Sequence, residues 1–209
     1  MMTDLVFYTN PQSRGQTVRW MLEEVGEPYD TEILGYGTSM KEEPYLSVNP
    51  MGKVPAIAHK GKVVTEVAAI CCYLADAFPD AGLAPAPADR ADYYRWIFFT
   101  SGPVEAAFSN KAAGWEPTPE RQRMFGYGNY DLAIDTLEKA LAGKEYIAAG
   151  HFTAADLFVG ANVNFMLAFN LLEPRDVFVD YARRMTDRPA YERAKAIDLA
   201  LVAKQEQAI

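Results

Sequence analysis

Apolar and polar positions follow two different rhythms along this chain, and the change of rhythm divides it. Up to about residue 80, short apolar runs of strand type are interleaved with helical stretches. Residues 4–8 predict a strand and residues 9–13 a turn around Pro11. From Arg14 the apolar positions Val18, Met21, Leu22 and Val25 fall at i, i+3, i+4 and i+7, the spacing of an amphipathic helix, and Gly26 supplies its C-terminal stop. Residues 28–34 predict a second strand, followed by a loop rich in Gly, Ser and Glu with one helical turn over 43–47. Residues 49–57 (NPMGKVPAI) form a turn leading into a strand, 59–61 a tight hairpin turn and 62–64 the returning strand. A helix over 66–78 carries the stripe Ala69, Ile70, Tyr73, Leu74 and Ala77.

The stretch 79–88 (PDAGLAPAPA) holds three prolines and reads as a linker. Beyond it the strand signals nearly vanish. Residues 89–113, 119–142, 153–170 and 175–204 read as helices, interrupted near Gly114, over 143–150 and at Pro189. The chain is therefore expected to hold a β-α-β then β-β-α unit of about 80 residues and, after the linker, an all-helical domain.

Composition narrows the function classes. Of 209 residues half are hydrophobic, enough to bury a core, and 28 acidic against 20 basic side chains leave a net charge of −8. That sign repels phosphate backbones and disfavours nucleic acid as a partner. No apolar run reaches the roughly 18–20 residues of a membrane span, and the opening MMTDLVFYTN lacks the basic start of a signal peptide. Cys71 and Cys72 are adjacent and have no other cysteine to pair with, which points to a reducing, cytoplasmic setting. His59 and His151 lie far apart, and no metal site is expected.

Candidate chemistry gathers at three junctions. The first is the strand–turn–helix segment with Tyr8, Thr9, Asn10 and Ser13. A helix N-terminus stabilises an anion such as a thiolate, and a hydroxyl there lowers a thiol pKa by donating a hydrogen bond. The same residue types also serve as plain helix caps. At the second, Val54-Pro55, a cis peptide would leave the Val54 backbone open to a ligand. The third is Thr65-Glu66-Val67, where the Val67 N–H suits a carboxylate and Glu66 an ammonium, the two ends of an α-amino acid. Farther on, Thr153-Ala154-Ala155-Asp156 is a capping box that belongs to folding. Trp96, Phe99, Phe108 and Trp115 offer apolar surface for a core or a substrate pocket. Dinucleotide, phosphate-loop and serine-elbow patterns are absent.

Taken in order, the hydroxyl-rich turn, N-P-x-G-K-V-P, T-E-V-A-A-I-x-x-Y-L, the linker and F-T-A-A-D resemble the cytosolic glutathione transferases, of bacterial type, over essentially the whole chain. The resemblance implies an α/β thioredoxin-like N-terminal domain over 1–80 and an all-α helical bundle over 88–209. It implies that Val54, before a cis Pro55, pairs with the cysteinyl part of glutathione. Glu66 and Val67 would hold the γ-glutamyl end, while Lys53 and Lys41 would reach the glycyl carboxylate. Ser13, Asn10 or Thr9 would activate the thiol. An apolar electrophile would lie near Tyr8, Trp96, Phe99, Phe108 and Trp115, with no metal required. Many relatives carry Ser where Val67 stands, which removes one hydroxyl contact worth about 1 kcal/mol. The turn has no cysteine, which argues against mixed-disulfide chemistry. Isomerisation, dehalogenation or disulfide reduction on the same fold, and a non-catalytic binding module, are the alternatives. Such proteins are usually homodimers.

Overall fold

The structure, a computed structural model, describes residues 3–207 and divides into two compact units. The first is built on strands β1 (Leu5–Thr9), β2 (Asp30–Ile33), β3 (Ala56–His59) and β4 (Lys62–Thr65), with helices α1 (Gly15–Val25), the single turn α2 (Tyr45–Val48) and α3 (Val67–Ala77). The sheet runs β2-β1-β3-β4, with β1 and β2 parallel and the other neighbours antiparallel. Along β1 the side chains of Leu5, Phe7 and Thr9 are buried and those between them half-buried, the alternation that places one face on a core. Gly26 ends α1 at φ 78°, its N–H on the Leu22 carbonyl. The hairpin β3–β4 turns through Lys60 and Gly61, both at positive φ, which matches the twist of the flanking strands. His59 is buried against Tyr73 and Phe78, its Nδ1 3.0 Å from the Tyr73 hydroxyl, and burial lowers its pKa.

The second unit, residues 84–187, is helical: α4 (Ala91–Phe99), α5 (Glu105–Ala112), α6 (Tyr130–Leu141), α7 (Ala154–Ala168) and α8 (Asp176–Thr186). Two expectations need correction. The helix expected over 89–113 is interrupted by a π-helical turn at Thr100–Val104, where Pro103 has no N–H to give and the wider turn accommodates it. The helix expected from 119 begins only at Tyr130. Asn129 caps it with Oδ1 accepting the Leu132 N–H at 2.8 Å, and Gly128 before it sits at φ 68°. The expected capping box is present: the Thr153 hydroxyl accepts the Ala155 N–H, and Asp156 Oδ2 accepts the Thr153 N–H at 3.0 Å. Its other oxygen reaches beyond the box, accepting the Ile147 N–H at 2.7 Å and the Tyr181 hydroxyl at 3.0 Å.

The last helix, α9 (Pro189–Gln207), belongs by packing to the first unit, where it lies along α1. The helical pattern after the linker groups it with the preceding helices, because nothing local in a helix says what it packs on. Three arginine–carboxylate pairs tie it down. Arg188 clasps both oxygens of Glu24, Arg193 meets Glu23, and Arg19 Nε donates to Asp198 Oδ1 at 2.7 Å in a fully buried pair. Arg19 Nη1 also donates to the Tyr29 hydroxyl, which donates to Glu23. Burial pushes the Tyr29 phenol up to about 12 from 10.0, opposed by Arg19 and reinforced by Glu23. The folded state thus keeps a proton that the unfolded chain releases two units lower, so stability falls as pH rises through this window. Tyr29→Phe is expected to flatten that alkaline loss in denaturant titrations, and to remove a late phenolate step from the ultraviolet pH titration.

Candidate functional site

Strand register gathers the three junctions. The last pair between β1 and β3 is Tyr8 with Ala56, and β4 pairs Thr65 with the same Ala56. Beyond these pairs the chain leaves the sheet at one end, as Asn10–Ser13 after β1, Val54-Pro55 ahead of β3 and Glu66-Val67 after β4. The Val54–Pro55 peptide is cis, as expected. Glu66 is exposed and adopts φ 68°, ψ 120° immediately before α3, so Val67 opens that helix with its N–H at the positive end of the dipole.

In the turn the candidate side chains divide. Thr9 and Asn10 are buried and structurally occupied. Thr9 Oγ1 donates to the Asn10 carbonyl, while Asn10 Nδ2 donates to the Leu34 carbonyl at 2.8 Å and its Oδ1 accepts the Gln12 N–H at 3.0 Å. That amide stitches the turn to the end of β2, a structural duty. Ser13 is half-buried; its hydroxyl donates to the Asn10 carbonyl at 2.7 Å and accepts the Gly15 N–H at 2.9 Å. It is a turn-closing hydroxyl that can exchange its acceptor for a ligand atom by rotating about one bond. Tyr8 packs its ring on Tyr45 beside a cluster of Leu34, Met40, Tyr45 and Ala56, facing that core.

The loop before Val54 is held by residues that the sequence pattern offered only as turn formers. Asn49 Nδ2 and the Tyr45 hydroxyl both donate to the Lys53 carbonyl, and Asn49 Oδ1 accepts the Met51 N–H at 3.1 Å. The signal for Asn49 lies in the N-P-x-G string, where a short amide favours a turn. Gly15 is a second positioning residue that pattern reading missed: a Cβ there would lie 2.0 Å from Thr9 Oγ1 and 2.9 Å from Ser13 Oγ. Lys41 and Lys53 are exposed, and Lys41 Nζ donates to the Met51 carbonyl at 3.2 Å.

In the second unit Trp96 and Phe108 are buried, Phe99 is half-buried, and Trp96 and Phe99 meet edge to face at 5.7 Å. Trp115 is exposed and rests on Phe125 in the loop before α6. Neither cysteine belongs to the sheet-end site; Cys71 is sealed in α3, where burial pushes its thiol far up. Among the described residues no group of three or more His, Cys, Asp or Glu is arranged to hold a metal ion, and no helix is long and apolar enough to cross a membrane.

A four-stranded mixed sheet with helices, followed in the chain by an all-helical unit, fits a thioredoxin-like domain and a helical domain. Residues 13–77 match the model of the glutathione S-transferase N-terminal domain. The glutathione S-transferase GST-4.5 of Xanthomonas campestris pv. campestris is 31% identical over 159 residues, covering 73% of this chain and 78% of the relative. Protein LigF of Sphingobium sp. is 28% identical over 212 residues, covering 74% and 79%. A sphingomonad glutathione S-transferase solved with glutathione superposes with a TM-score of 0.71 at 25% identity, covering 92% of this chain and 98% of that one. The chain belongs to the glutathione S-transferase family.

Proposed function

We propose that this protein binds glutathione at the sheet end and activates its thiol for attack on the electrophilic carbon of an apolar molecule. The observation that carries this reading is Glu66. A non-glycine residue at φ 68° costs about 1–3 kcal/mol. Glu66 stands directly before the N-terminus of α3, so an exposed carboxylate and an unpaired helix N–H are neighbours in the chain, the complement of the ammonium and carboxylate of the γ-glutamyl end. The Val54 backbone pairs with the cysteinyl part, and Lys53 and Lys41 serve the glycyl carboxylate. The thiol then falls beside the turn, where Ser13 is the hydroxyl free to turn toward it. Its hydrogen bond stabilises the thiolate, which attacks carbon and expels the leaving group. An apolar electrophile would draw on the aromatic side chains Trp96, Phe99, Phe108 and Trp115 of the helical unit.

The relative solved with glutathione supports the choice of thiol. Cytoplasmic location and a homodimer complete the proposal. Exposed Tyr94 and Phe98, adjacent on α4, are the kind of apolar surface that a second copy covers, and light scattering at micromolar concentration tests it.

Calorimetric titration with reduced glutathione tests the site. Glu66→Ala is expected to weaken binding about tenfold or more, the worth of a charge-assisted hydrogen bond. Glu66→Gly separates binding from folding. It relieves the positive φ and is expected to raise stability by about 1 kcal/mol while losing affinity as the alanine variant does. Wild-type protein that gives no heat at millimolar glutathione would sink the reading and leave a binding module without this ligand.

A further inference from the structure

Within the first unit, α1 and α9 leave a half-open groove of about 370 Å³ between them. That is the size of a small-molecule site, about 300–1,000 Å³. Most of its wall is apolar, with Pro11 and Trp20 on one side and Tyr191 and Val202 of α9 on the other. Trp20 and Tyr191 meet edge to face at 5.0 Å. Trp20 Nε1 donates to Glu24 Oε1 at 2.9 Å, so the indole N–H is already engaged and the ring brings apolar surface. The polar part of the wall is a set of donors. Lys195 is exposed, and no described residue forms a hydrogen bond or ion pair with its ammonium. Gln12 and Gln16 line the groove as well, and Gln16 keeps one amide N–H after giving the other to the Pro11 carbonyl at 2.7 Å.

The charges in this wall do not cancel. Asp198 lines the groove, but Arg19 Nε holds its Oδ1 at 2.7 Å and neutralises it. Lys195 is left as one positive charge without a counter-charge. Tyr191, Lys195, Asp198 and Val202 are spaced by four, three and four residues, so the lysine belongs to the stripe of α9 that borders the groove. A cationic ligand would meet Lys195 with the carboxylate already engaged, and a neutral one would gain nothing from the ammonium. An anion gains from the ammonium and from the amide donors beside it. We propose that the groove binds a small organic anion with a flat apolar body, of the aryl carboxylate class. The ring lies against Trp20 and Tyr191, and the carboxylate meets the Lys195 ammonium. The inference stands apart from the glutathione reading, which uses the sheet end.

The test is calorimetry on the whole protein with 2-naphthoate, 2-naphthamide and acetate. The first two share a ring and differ in charge, and the third is the acid group without the ring. Saturable binding of 2-naphthoate is expected, about fivefold tighter than 2-naphthamide, between the worth of an exposed ion pair and that of a charge-assisted hydrogen bond. The preference should shrink as salt rises to about 1 M, where the screening length is about 3 Å. Acetate should give no saturable heat, because the buried ring supplies most of the affinity. Lys195→Gln is expected to bring 2-naphthoate down to the level of the amide, and Lys195→Glu below it. In both variants 2-naphthamide and reduced glutathione should titrate as in wild type. Because no described residue pairs with the ammonium, both variants should also melt with wild type. Equal affinity for naphthoate and naphthamide, a preference that survives Lys195→Gln, acetate binding as tightly as naphthoate, or no saturable heat with either naphthalene up to the solubility limit would each overturn the proposal.

Discussion

Asp156→Ala is expected to destabilise the protein by about 3–5 kcal/mol, the range for breaking a buried charged network. The carboxylate accepts from the Ile147 N–H at 2.7 Å, the Thr153 N–H at 3.0 Å, the Thr153 hydroxyl at 2.9 Å and the Tyr181 hydroxyl at 3.0 Å. It thereby pins the loop before α7, the start of α7 and the middle of α8 to one point. Alanine strands all four donors in a site closed to water, which is why the loss exceeds that of an ordinary cap, about 1 kcal/mol. Burial raises the Asp156 pKa and the four donors hold it down, so the network offsets a desolvation that would otherwise oppose folding. Asp156→Asn, which retains one acceptor oxygen, is expected to recover part of the loss, and Tyr181→Phe to cost only about 1 kcal/mol. Urea unfolding followed by circular dichroism measures all three. An alanine variant within 1 kcal/mol of wild type would mean that water satisfies these donors.

Arg19→Leu is expected to cost about 3–5 kcal/mol as well, for a different reason. Arginine and aspartate are both buried, 1% and 4% exposed, and removing the guanidinium leaves Asp198 with no counter-charge. The Tyr29 hydroxyl loses a donor at the same time. The double variant Arg19→Leu with Asp198→Leu removes both charges and is expected to recover most of the loss, because apolar side chains of similar volume suit this interface. The single variant also carries a pH signature. Burial raises the Asp198 pKa in the folded wild type and Arg19 pulls it back; without Arg19 it rises further. The folded variant then binds its proton more tightly than the unfolded chain. Its deficit against wild type should therefore narrow as pH falls from 7 toward about 4, where ordinary carboxylates protonate. A deficit independent of pH would show that packing rather than charge carries the loss.

Determined by sequence alone were the features whose causes are local. Gly26 stops α1 because a left-handed residue is needed there, and Thr153 with Asp156 starts α7 because they sit three apart at its first turn. The strand-and-helix order of the first 80 residues follows from the periods of its apolar positions, and the string V-P, T-E-V was enough to name the sheet-end residues. The tertiary structure decided what depends on partners far along the chain. Asn10 is a candidate for activating a thiol until Leu34, 24 residues on, is seen to occupy its amide. Arg19 sits on the helix face that packs inward and is intelligible only beside Asp198, 179 residues away, which also draws α9 onto α1. The start of α6 moved from Pro119 to Tyr130 because Asn129 makes the cap that Pro119 lacks. Glu66 at positive φ is invisible in a string of letters, since a backbone angle that its own side chain disfavours can only be imposed by the strand before it and the helix after it.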